Sequence, residues 1–212
     1  MTYTITKITT KNKKLMIEID GVHHLFLYNR DLSRGKFAGL IKEGQEIQED
    51  TYKLLDEHAV NRGKKRIMFL LGKQDYPKAK LRDKLSREGY CDQHIELILK
   101  PYLDKGFVDD KKLVNRRVET FKGYKSKREI EYKLKNSGFT SDDIKEAIGQ
   151  QFSEDDELES ALLLLNKKFT LKKLRMGEQE LKKKCLGFLS RKGYPIGVCY
   201  KAFELFNNRT QD

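Results

Sequence analysis

Residues 84–99 read KLSREGYCDQHIELIL, and the same pattern returns at 133–148 as KLKNSGFTSDDIKEAI and at 188–203 as FLSRKGYPIGVCYKAF. In each stretch a leucine stands four residues before a glycine, and an aromatic residue follows that glycine. A glycine in this position indicates the left-handed end of a helix, because a residue without Cβ adopts a positive φ at little cost. Each stretch therefore predicts a helix, a tight turn and a second helix.

The three stretches align without gaps, at spacings of 49 and 55 residues. A further helix is predicted before each pair, at 51–73, 109–122 and 154–169. A supersecondary unit that recurs in tandem is typical of a helical repeat protein. The aligned positions are Leu85, Leu134 and Leu189, then Gly89, Gly138 and Gly193, then Tyr90, Phe139 and Tyr194, and finally Ile95, Ile144 and Cys199.

The starts and lengths of the repeated helices support this alignment. Ser126 followed by Glu129 predicts a capping box at the start of the middle helix of the second repeat. The comparable helix of the third repeat starts near Gly177 and runs about four residues longer, close to one helical turn. Helix 51–73 carries an apolar face that is expected to be buried, formed by Leu54, Leu55, Ala59, Ile67, Leu70 and Leu71.

The first 49 residues follow a different pattern. KLMIEID (14–20) and VHHLFLY (22–28) have strand-like spacing, and the Asp20-Gly21 pair between them is a hairpin signal. With YTITKIT before them, they predict a small antiparallel β unit. FAGLI (37–41) has helical spacing and predicts a helix that covers this unit. We therefore expect a mainly α fold, with a β-hairpin/helix extension at 1–49 and three-helix repeats at 50–107, 108–152 and 153–212.

Composition limits the function. The chain has 212 residues, of which 38% are hydrophobic and 36% charged, with a net charge of +12. Residues 1–50 hold eight basic and seven acidic side chains, so almost all of the excess lies in the predicted repeats. Such a polycation attracts DNA, RNA or acidic partners. No apolar run approaches the ~18 residues of a membrane span, and three cysteines without a CxxC pair suit a reducing compartment. We expect a cytoplasmic protein without a membrane partner.

The sequence offers little catalytic chemistry. Three Asp-Asp pairs, at 109–110, 142–143 and 155–156, could hold Mg²⁺ and raise the alternative of a metal-dependent nuclease. Each pair falls at a predicted helix start, where carboxylates cap free N–H groups, so capping is the favoured interpretation. His23 and His24 are neighbours on a strand and face opposite sides, while His58 and His94 have no partner at ligand spacing. We expect no catalytic residue, metal or cofactor, and Cys199 is expected to be buried.

Basic side chains that recur near the second helix of each predicted repeat are the candidates for a binding edge. Tyr124 could stack on a base or simply cap a helix. The candidate residues are Lys78, Lys80, Arg82 and Lys84 in the first repeat, Arg116, Arg117, Lys122, Lys125, Lys127 and Arg128 in the second, and Lys172, Lys173, Arg175, Lys182, Lys183 and Lys184 in the third.

These repeats, together with the phrase YLDKGFVDDKKLVNRRVETF (102–121), resemble the RecX family of bacterial recombination regulators. Phe107-Val108 and Leu113-Val114 stand where the family's phrase has Tyr-Leu and Phe-Ala. The family's Ser-x-x-Glu-Leu helix start is matched by Ser126, Glu129 and Ile130, whereas the first repeat has Pro77-Lys-Ala-Lys80-Leu81 in that place. The resemblance covers residues 51–206, and the β unit is similar to the extension of Gram-positive members.

The resemblance implies a non-enzymatic modulator of RecA, the recombinase that polymerises on single-stranded DNA. Members bind the RecA filament along its groove, typically inhibit its ATPase and strand exchange, and in some cases bind DNA. We expect a monomer with an elongated body, which could touch several protomers at once. The alternative is a sequence-independent DNA-binding repeat protein whose effect on RecA is secondary. Acidic residues in DQHIELIL and SDDIKEAI disfavour major-groove reading by those helices.

Overall fold

A computed structural model describes residues 1–11, 14–33, 37, 39, 41–173 and 175–208, without the side chains of residues 11, 32, 33 and 173. The chain forms two compact units, Met1–Asp109 and Asp110–Asp212. The boundary between them lies two residues beyond the end that the sequence predicts for the first repeat. The finer division into an extension and three repeats remains a prediction.

The first unit begins with a four-stranded antiparallel sheet in the order β3-β2-β1-β4. Strands β1 (Thr2–Lys11), β2 (Lys14–Ile19) and β3 (His23–Tyr28) form a meander, and β4 (Glu46–Gln48) pairs with the start of β1. Asp20 and Gly21 both have positive φ, 52° and 68°, as the predicted hairpin turn between β2 and β3 requires. Leu15, Ile17 and Ile19 are buried in alternation along β2.

The segment 37–41 differs from its prediction. Among its described residues, Phe37 and Gly39 lie in turns and Ile41 has no regular structure, so the helix expected there is wrong. The short helix α1 (Asn29–Ser33) comes earlier, and the sheet packs on Leu55 and Ala59 of the following long helix. Phe37 and Ile41 are buried in the same cluster. The apolar spacing reflects this burial, which a loop achieves as well as a helix.

Three helices complete the first unit: α2 (Glu49–Leu71), α3 (Lys78–Glu88) and α4 (Asp92–Asp104). The predicted apolar face of α2 is confirmed except at its edges, since Leu54 is 42% exposed and Leu71 only partly buried. The buried positions of α2 are Leu55, Ala59, Val60, Gly63, Ile67 and Leu70. At Gly63 the side chains of Ile98 and Tyr90 approach so closely that an added Cβ would lie 2.1 Å from Cδ1 of Ile98.

The second unit consists of two successive helix triplets. The first triplet is α5 (Asp110–Lys122), α6 (Lys127–Asn136) and α7 (Ser141–Gln151), and the second is α8 (Glu154–Lys173), α9 (Glu178–Arg191) and α10 (Ile196–Asn208). Helix α9 has 14 residues against 10 in α6, so the predicted four-residue extension is confirmed. Each triplet encloses its own apolar cluster.

The repeated leucine–glycine–aromatic pattern forms the same turn three times. Gly89, Gly138 and Gly193 have φ of 109°, 95° and 87°. After each glycine, the aromatic N–H donates to the carbonyl oxygen of the leucine five residues earlier, at 3.1, 3.3 and 3.2 Å. This bond defines a Schellman motif, which satisfies a free carbonyl at the helix end. The three leucines are 0% exposed and the three aromatics 4%, so the predicted helical hairpins are confirmed.

Different neighbours cover the first and the third of these glycines. Added to Gly89, a Cβ would lie 2.9 Å from Cε of Met16, whereas on Gly193 it would lie 3.1 Å from the hydroxyl oxygen of Ser126. In the first unit the ring of Phe26 also packs on Tyr90, with centroids 4.7 Å apart. The sheet thus covers the turn after α3 in the way that the start of α6 covers the turn after α9.

Candidate interaction surface

The start of α6 is fixed to the turn after α9 by a buried serine. Ser126 is 0% exposed, and its hydroxyl oxygen accepts the N–H of Glu129 at 3.1 Å while donating to the carbonyl oxygen of Lys192 at 2.6 Å. Among the described residues, the Glu129 carboxylate pairs with Lys125 and Lys192, at 2.9 and 3.8 Å, rather than with the Ser126 amide. Half of the predicted capping box is therefore formed, and the serine joins the two helix triplets.

Glu157 of α8 provides a second contact at the same helix start. The residue is only 7% exposed, and its carboxylate accepts the backbone N–H of Lys127 at 3.1 Å. Burial raises the pKa of Glu157 above its ordinary value, although the hydrogen bond from Lys127 opposes this shift. Nearby, the Ser160 hydroxyl lies 3.0 Å from the Tyr194 hydroxyl, and burial raises the pKa of Tyr194 to about 12.

These contacts place α6 beside a groove of about 680 Å³ within the second unit. Side chains of α6, α8 and α9 line it, and we call it the α6 groove. Its rim is basic and its one strongly exposed aromatic ring is Tyr132, which is 69% exposed. The lining residues are Arg128, Glu129, Tyr132, Lys168, Phe188, Ser190, Arg191, Lys192 and Gly193.

Two smaller clefts meet the α6 groove at Arg128. One contains Tyr132, Lys135 and Lys145, and the other lies toward Lys127. Arg128 lines all three spaces and is exposed. Glu131 also lines both of these clefts, so their charge is mixed.

Two of the predicted cations of the first unit, Arg82 and Lys84, are engaged by neighbouring side chains. Arg82 pairs with Glu96 and, at 3.0 Å, with Asp92, so its charge is balanced within the α3–α4 hairpin. The ammonium group of Lys84 lies 5.0 Å from the centre of the Tyr76 ring. Lys78 and Lys80, like these two, are only partly exposed. Asp92 and Glu96, the acidic residues that disfavoured recognition of the DNA major groove by α4, therefore hold Arg82 in place.

The candidates around α5 and α6 divide into two groups. Lys122 lies 3.4 Å from Glu119, and Lys125 lies 2.9 Å from Glu129, so both are neutralised locally. The guanidinium group of Arg117 lies over the ring of Phe139, and the ammonium group of Lys125 lies over the ring of Tyr124. Because its ring is already in contact with Lys125, Tyr124 is better explained as a helix cap than as a surface for stacking a base. Lys127, Arg128 and, on α5, Arg116 are exposed, and only Arg128 of these lines the α6 groove.

The candidates of the third triplet whose side chains are described lie outside the α6 groove. Lys184 pairs with Glu180 at 2.8 Å, and Lys182 lies 5.5 Å from the Tyr200 ring. Lys172, Arg175 and Lys183 are exposed, whereas the side chain of Lys173 is not among those described. The cations that do line the α6 groove from this triplet are Lys168, Arg191 and Lys192. Sequence reasoning missed these three, and it also missed Tyr132.

The acidic pairs lie where helix capping places them. Helices α5, α7 and α8 begin at Asp110, Ser141 and Glu154. Ser153 and Asp156 form a reciprocal capping box, and the hydrogen bonds from the Ser153 amide and hydroxyl lower the pKa of Asp156. Across the described ranges, no group of three or more His, Cys, Asp or Glu side chains could hold a metal ion.

The histidines and cysteines have structural surroundings. His94 is 4% exposed and lies 2.7 Å from the Asp56 carboxylate, and His58 lies 3.4 Å from Asp31, so both have acidic partners that the sequence did not reveal. Cys199 is buried, as predicted, and burial also raises the pKa of the Cys185 thiol to about 11. In the described part of the chain, every helix is too short or too polar to cross a membrane.

Comparison with known proteins identifies relatives of this architecture. The family model for the third three-helix domain of RecX matches residues 154–203. The regulatory protein RecX of Clostridioides difficile (strain 630) is 29% identical over 163 residues, which is 74% of each chain. That of Clostridium botulinum (strain Eklund 17B / Type B) is 30% identical over 119 residues, 56% of each chain. The predicted resemblance to the RecX family is confirmed.

Solved RecX structures share the fold. A crystal structure of regulatory protein RecX aligns with a TM-score of 0.62 and 21% identity, over 97% of this chain and 99% of that one. RecX from Lactobacillus salivarius aligns with a TM-score of 0.63 and 17% identity, over 70% of this chain and 96% of that one. The curated relatives are named as regulatory proteins and not as enzymes.

The region matched to the third RecX domain contributes one side of the α6 groove. Lys168, Phe188, Arg191 and Lys192 lie within residues 154–203, whereas Tyr132 belongs to the preceding triplet. The groove is thus built between two successive helix triplets of the second unit. One available signal was that Arg128, Tyr132 and Lys135 are spaced by four and three residues, which places them on one side of a helix.

Proposed function

We propose that this protein regulates homologous recombination by binding the RecA filament on single-stranded DNA and inhibiting its ATPase and strand-exchange activities. The RecX relatives support this role, because they are named as regulatory proteins and the resemblance to their family implies action on RecA. The observation in the structure that carries the proposal is the α6 groove, where exposed Arg128 and the cations of α8 and α9 surround one side of a helix. The role is a binding role and requires no catalytic residue or cofactor.

The contact with the filament is assigned to the second unit. Lys127 and Arg128 stand at the start of α6, and the Ser126 and Glu157 hydrogen bonds hold that start against the next triplet. Rigid placement of charged side chains lowers the conformational entropy lost on binding. Arg82, Lys122, Lys125 and Lys184 are paired with carboxylates, so their contribution to a long-range positive field is smaller.

A titration of RecA ATPase on single-stranded DNA tests the proposal. The chain should lower the ATPase rate at amounts below one molecule per RecA protomer. One bound copy can block growth of the filament or contact several neighbouring protomers at once. Strand exchange should fall in parallel. No change in ATPase rate, strand exchange or filament length at an excess of the chain would remove this function.

Action on bare DNA is the second candidate, and the net charge of +12 is the observation that favours it. Binding dominated by lysine–phosphate contacts should be independent of sequence and should weaken steeply with salt, because it releases counterions. The two candidates separate in a titration of labelled single-stranded DNA with and without RecA. Much tighter binding in the presence of RecA supports the filament, whereas equal binding supports the DNA-binding alternative.

A further inference from the structure

We infer that the α6 groove binds the single strand of nucleic acid itself, with one base stacked on Tyr132, and that this tyrosine makes the groove prefer single strands to duplexes. The inference deepens and rests on the proposed function, in which the partner is a filament formed on single-stranded DNA. It assigns a ligand class and a specificity-determining residue to the groove.

Charge provides the first argument. Arg128 reaches the groove from α6, Lys168 from α8 and Arg191 from the last turn of α9, while Lys192, just beyond α9, pairs with Glu129. The lining carboxylate, Glu129, is already held by the ammonium groups of Lys125 and Lys192. Cations on three helices around one open groove match the regularly spaced phosphates of an extended strand.

The aromatic side chains provide the second argument. Among the described residues, the Tyr132 ring has neither an aromatic nor a cationic partner, and it is 69% exposed. The other aromatic side chain of the groove is engaged, since the Lys168 ammonium lies 3.9 Å from the centre of the Phe188 ring and Phe169 packs on it at 5.7 Å. Tyr132 is therefore the surface on which a base can stack. Stacking on an aromatic ring accepts every base, so the site should not read sequence.

The same surroundings disfavour two other occupants. A duplex keeps its bases stacked on one another and offers Tyr132 no free base face, so it gains only the phosphate contacts. An acidic peptide would use the cations but normally inserts an apolar side chain as an anchor. In the α6 groove the apolar surface of Phe188 lies under Lys168, which leaves little room for such an anchor.

Fluorescence anisotropy of the full chain with three labelled probes tests the inference. The probes are a thymidine oligonucleotide of about 20 nucleotides, a duplex of the same length and a polyglutamate peptide, each measured at two salt concentrations. The variants are Tyr132→Ala and Tyr132→Phe. Tyr200→Ala is the matched control, because Tyr200 is also exposed in the second unit but lies outside the groove.

The wild-type chain should bind the single strand more tightly than the duplex. Tyr132→Ala should weaken single-strand binding about tenfold and leave duplex binding nearly unchanged, Tyr132→Phe should keep the wild-type affinity, and Tyr200→Ala should have no effect. Equal affinity for single strand and duplex, or an unchanged single-strand affinity in Tyr132→Ala, overturns the inference. Tighter binding of polyglutamate than of the oligonucleotide also overturns it, in favour of an acidic protein segment.

The RecA ATPase titration, carried out with the same proteins, separates this inference from the proposed function. Regulation of RecA by the wild-type chain together with a Tyr132→Ala variant that binds single strands normally would overturn the inference alone. A Tyr132-dependent preference for single strands without any effect on RecA would support the inference and remove the proposed function.

Discussion

The Ser126 hydroxyl donates a 2.6 Å hydrogen bond to the carbonyl oxygen of Lys192, a residue 66 positions later in the chain. The bond joins the start of α6, the middle helix of one triplet, to the turn after α9, the middle helix of the next triplet. It also orients α6, which carries Arg128 and Tyr132 into the groove. Because the serine also caps α6, one side chain serves both the helix and the contact between the repeats.

Replacing Ser126 by alanine should destabilise the second unit by about 2 kcal/mol, since the change removes a helix cap and breaks the part-buried hydrogen bond to the carbonyl oxygen of Lys192. Thr140→Ala is the matched control, because Thr140 caps α7 in the same way but is exposed. It should cost only about 1 kcal/mol. Urea unfolding measures the costs, and hydrogen exchange localises the effect to α6. Equal losses in the two variants would show that the bond to Lys192 contributes nothing.

Gly193→Ala should be more damaging than the same change at Gly106. Both glycines have positive φ, 87° and 69°, so each substitution carries the left-handed penalty of about 1 kcal/mol. Only at Gly193 does the new methyl group also meet Ser126 and Arg128, at 3.1 and 3.2 Å, whereas Gly106 has open space. The difference between the two variants in thermal unfolding reports the packing of α6 on the turn. Similar losses would contradict that packing.

Two glycines inside helices should respond to alanine with opposite signs. Gly149→Ala in α7 should stabilise the chain by up to about 1 kcal/mol, since nothing lies within 4 Å of the new methyl and alanine favours helix. Gly63→Ala in α2 should destabilise it, because Ile98 must move out of the way in a closely packed core. Circular dichroism during urea unfolding compares the two. Stabilisation by both substitutions would show that Ile98 can rearrange freely.

Glu157→Gln should change the pH dependence of stability. A carboxyl whose pKa is raised by folding contributes stability that is complete below its unfolded pKa and is lost as pH rises through the folded pKa. The wild-type chain should therefore gain stability relative to Glu157→Gln as pH falls from 7 toward 4, while the variant keeps an oxygen that can accept the Lys127 N–H. Urea midpoints measured across this range test the expectation. The control Glu159→Gln, at an exposed position of the same helix, should show no such trend.

Reversal of Lys127 and Arg128 to glutamate should weaken binding to the RecA–DNA filament roughly tenfold or more, because two exposed cations at the start of α6, one of them lining the α6 groove, become anions. The fold should hold, since exposed substitutions usually change stability by about 0.5 kcal/mol or less. Lys42→Glu with Lys65→Glu makes the same change in net charge at exposed positions of the first unit. Comparable losses in the two double variants would indicate a general charge effect and no local site.

What the sequence predicts well is local. Leucine, glycine and aromatic residue lie within six positions of one another, so their turn can be recognised without knowing what packs on it. Strand β4 has three residues and pairs with the start of β1, more than forty positions earlier, so no local pattern announced it. The apolar spacing of Phe37 and Ile41 correctly indicated burial but not the backbone conformation that achieves it.

The α6 groove depends on contacts between distant parts of the chain. Arg128 was a candidate because basic residues cluster around it, but Lys168, Arg191 and Lys192 come together with Tyr132 only when two helix triplets pack. Conversely, Arg82 was a candidate because it belongs to a basic run, but in the structure it is paired with Asp92 and Glu96 of the adjacent helix. A count of charges along the sequence does not distinguish these two situations.

The cover that Met16 and Phe26 provide over Gly89 has a consequence for shortened versions of this protein. A chain that began at α2 would retain helices α2 to α10 yet uncover the Tyr90 ring together with the surfaces of Leu55 and Ala59. Water-exposed apolar area of this kind promotes self-association. We therefore expect the amino-terminal strands to protect the helices that follow from aggregation, and their removal should lower the yield of monomeric protein in size-exclusion chromatography.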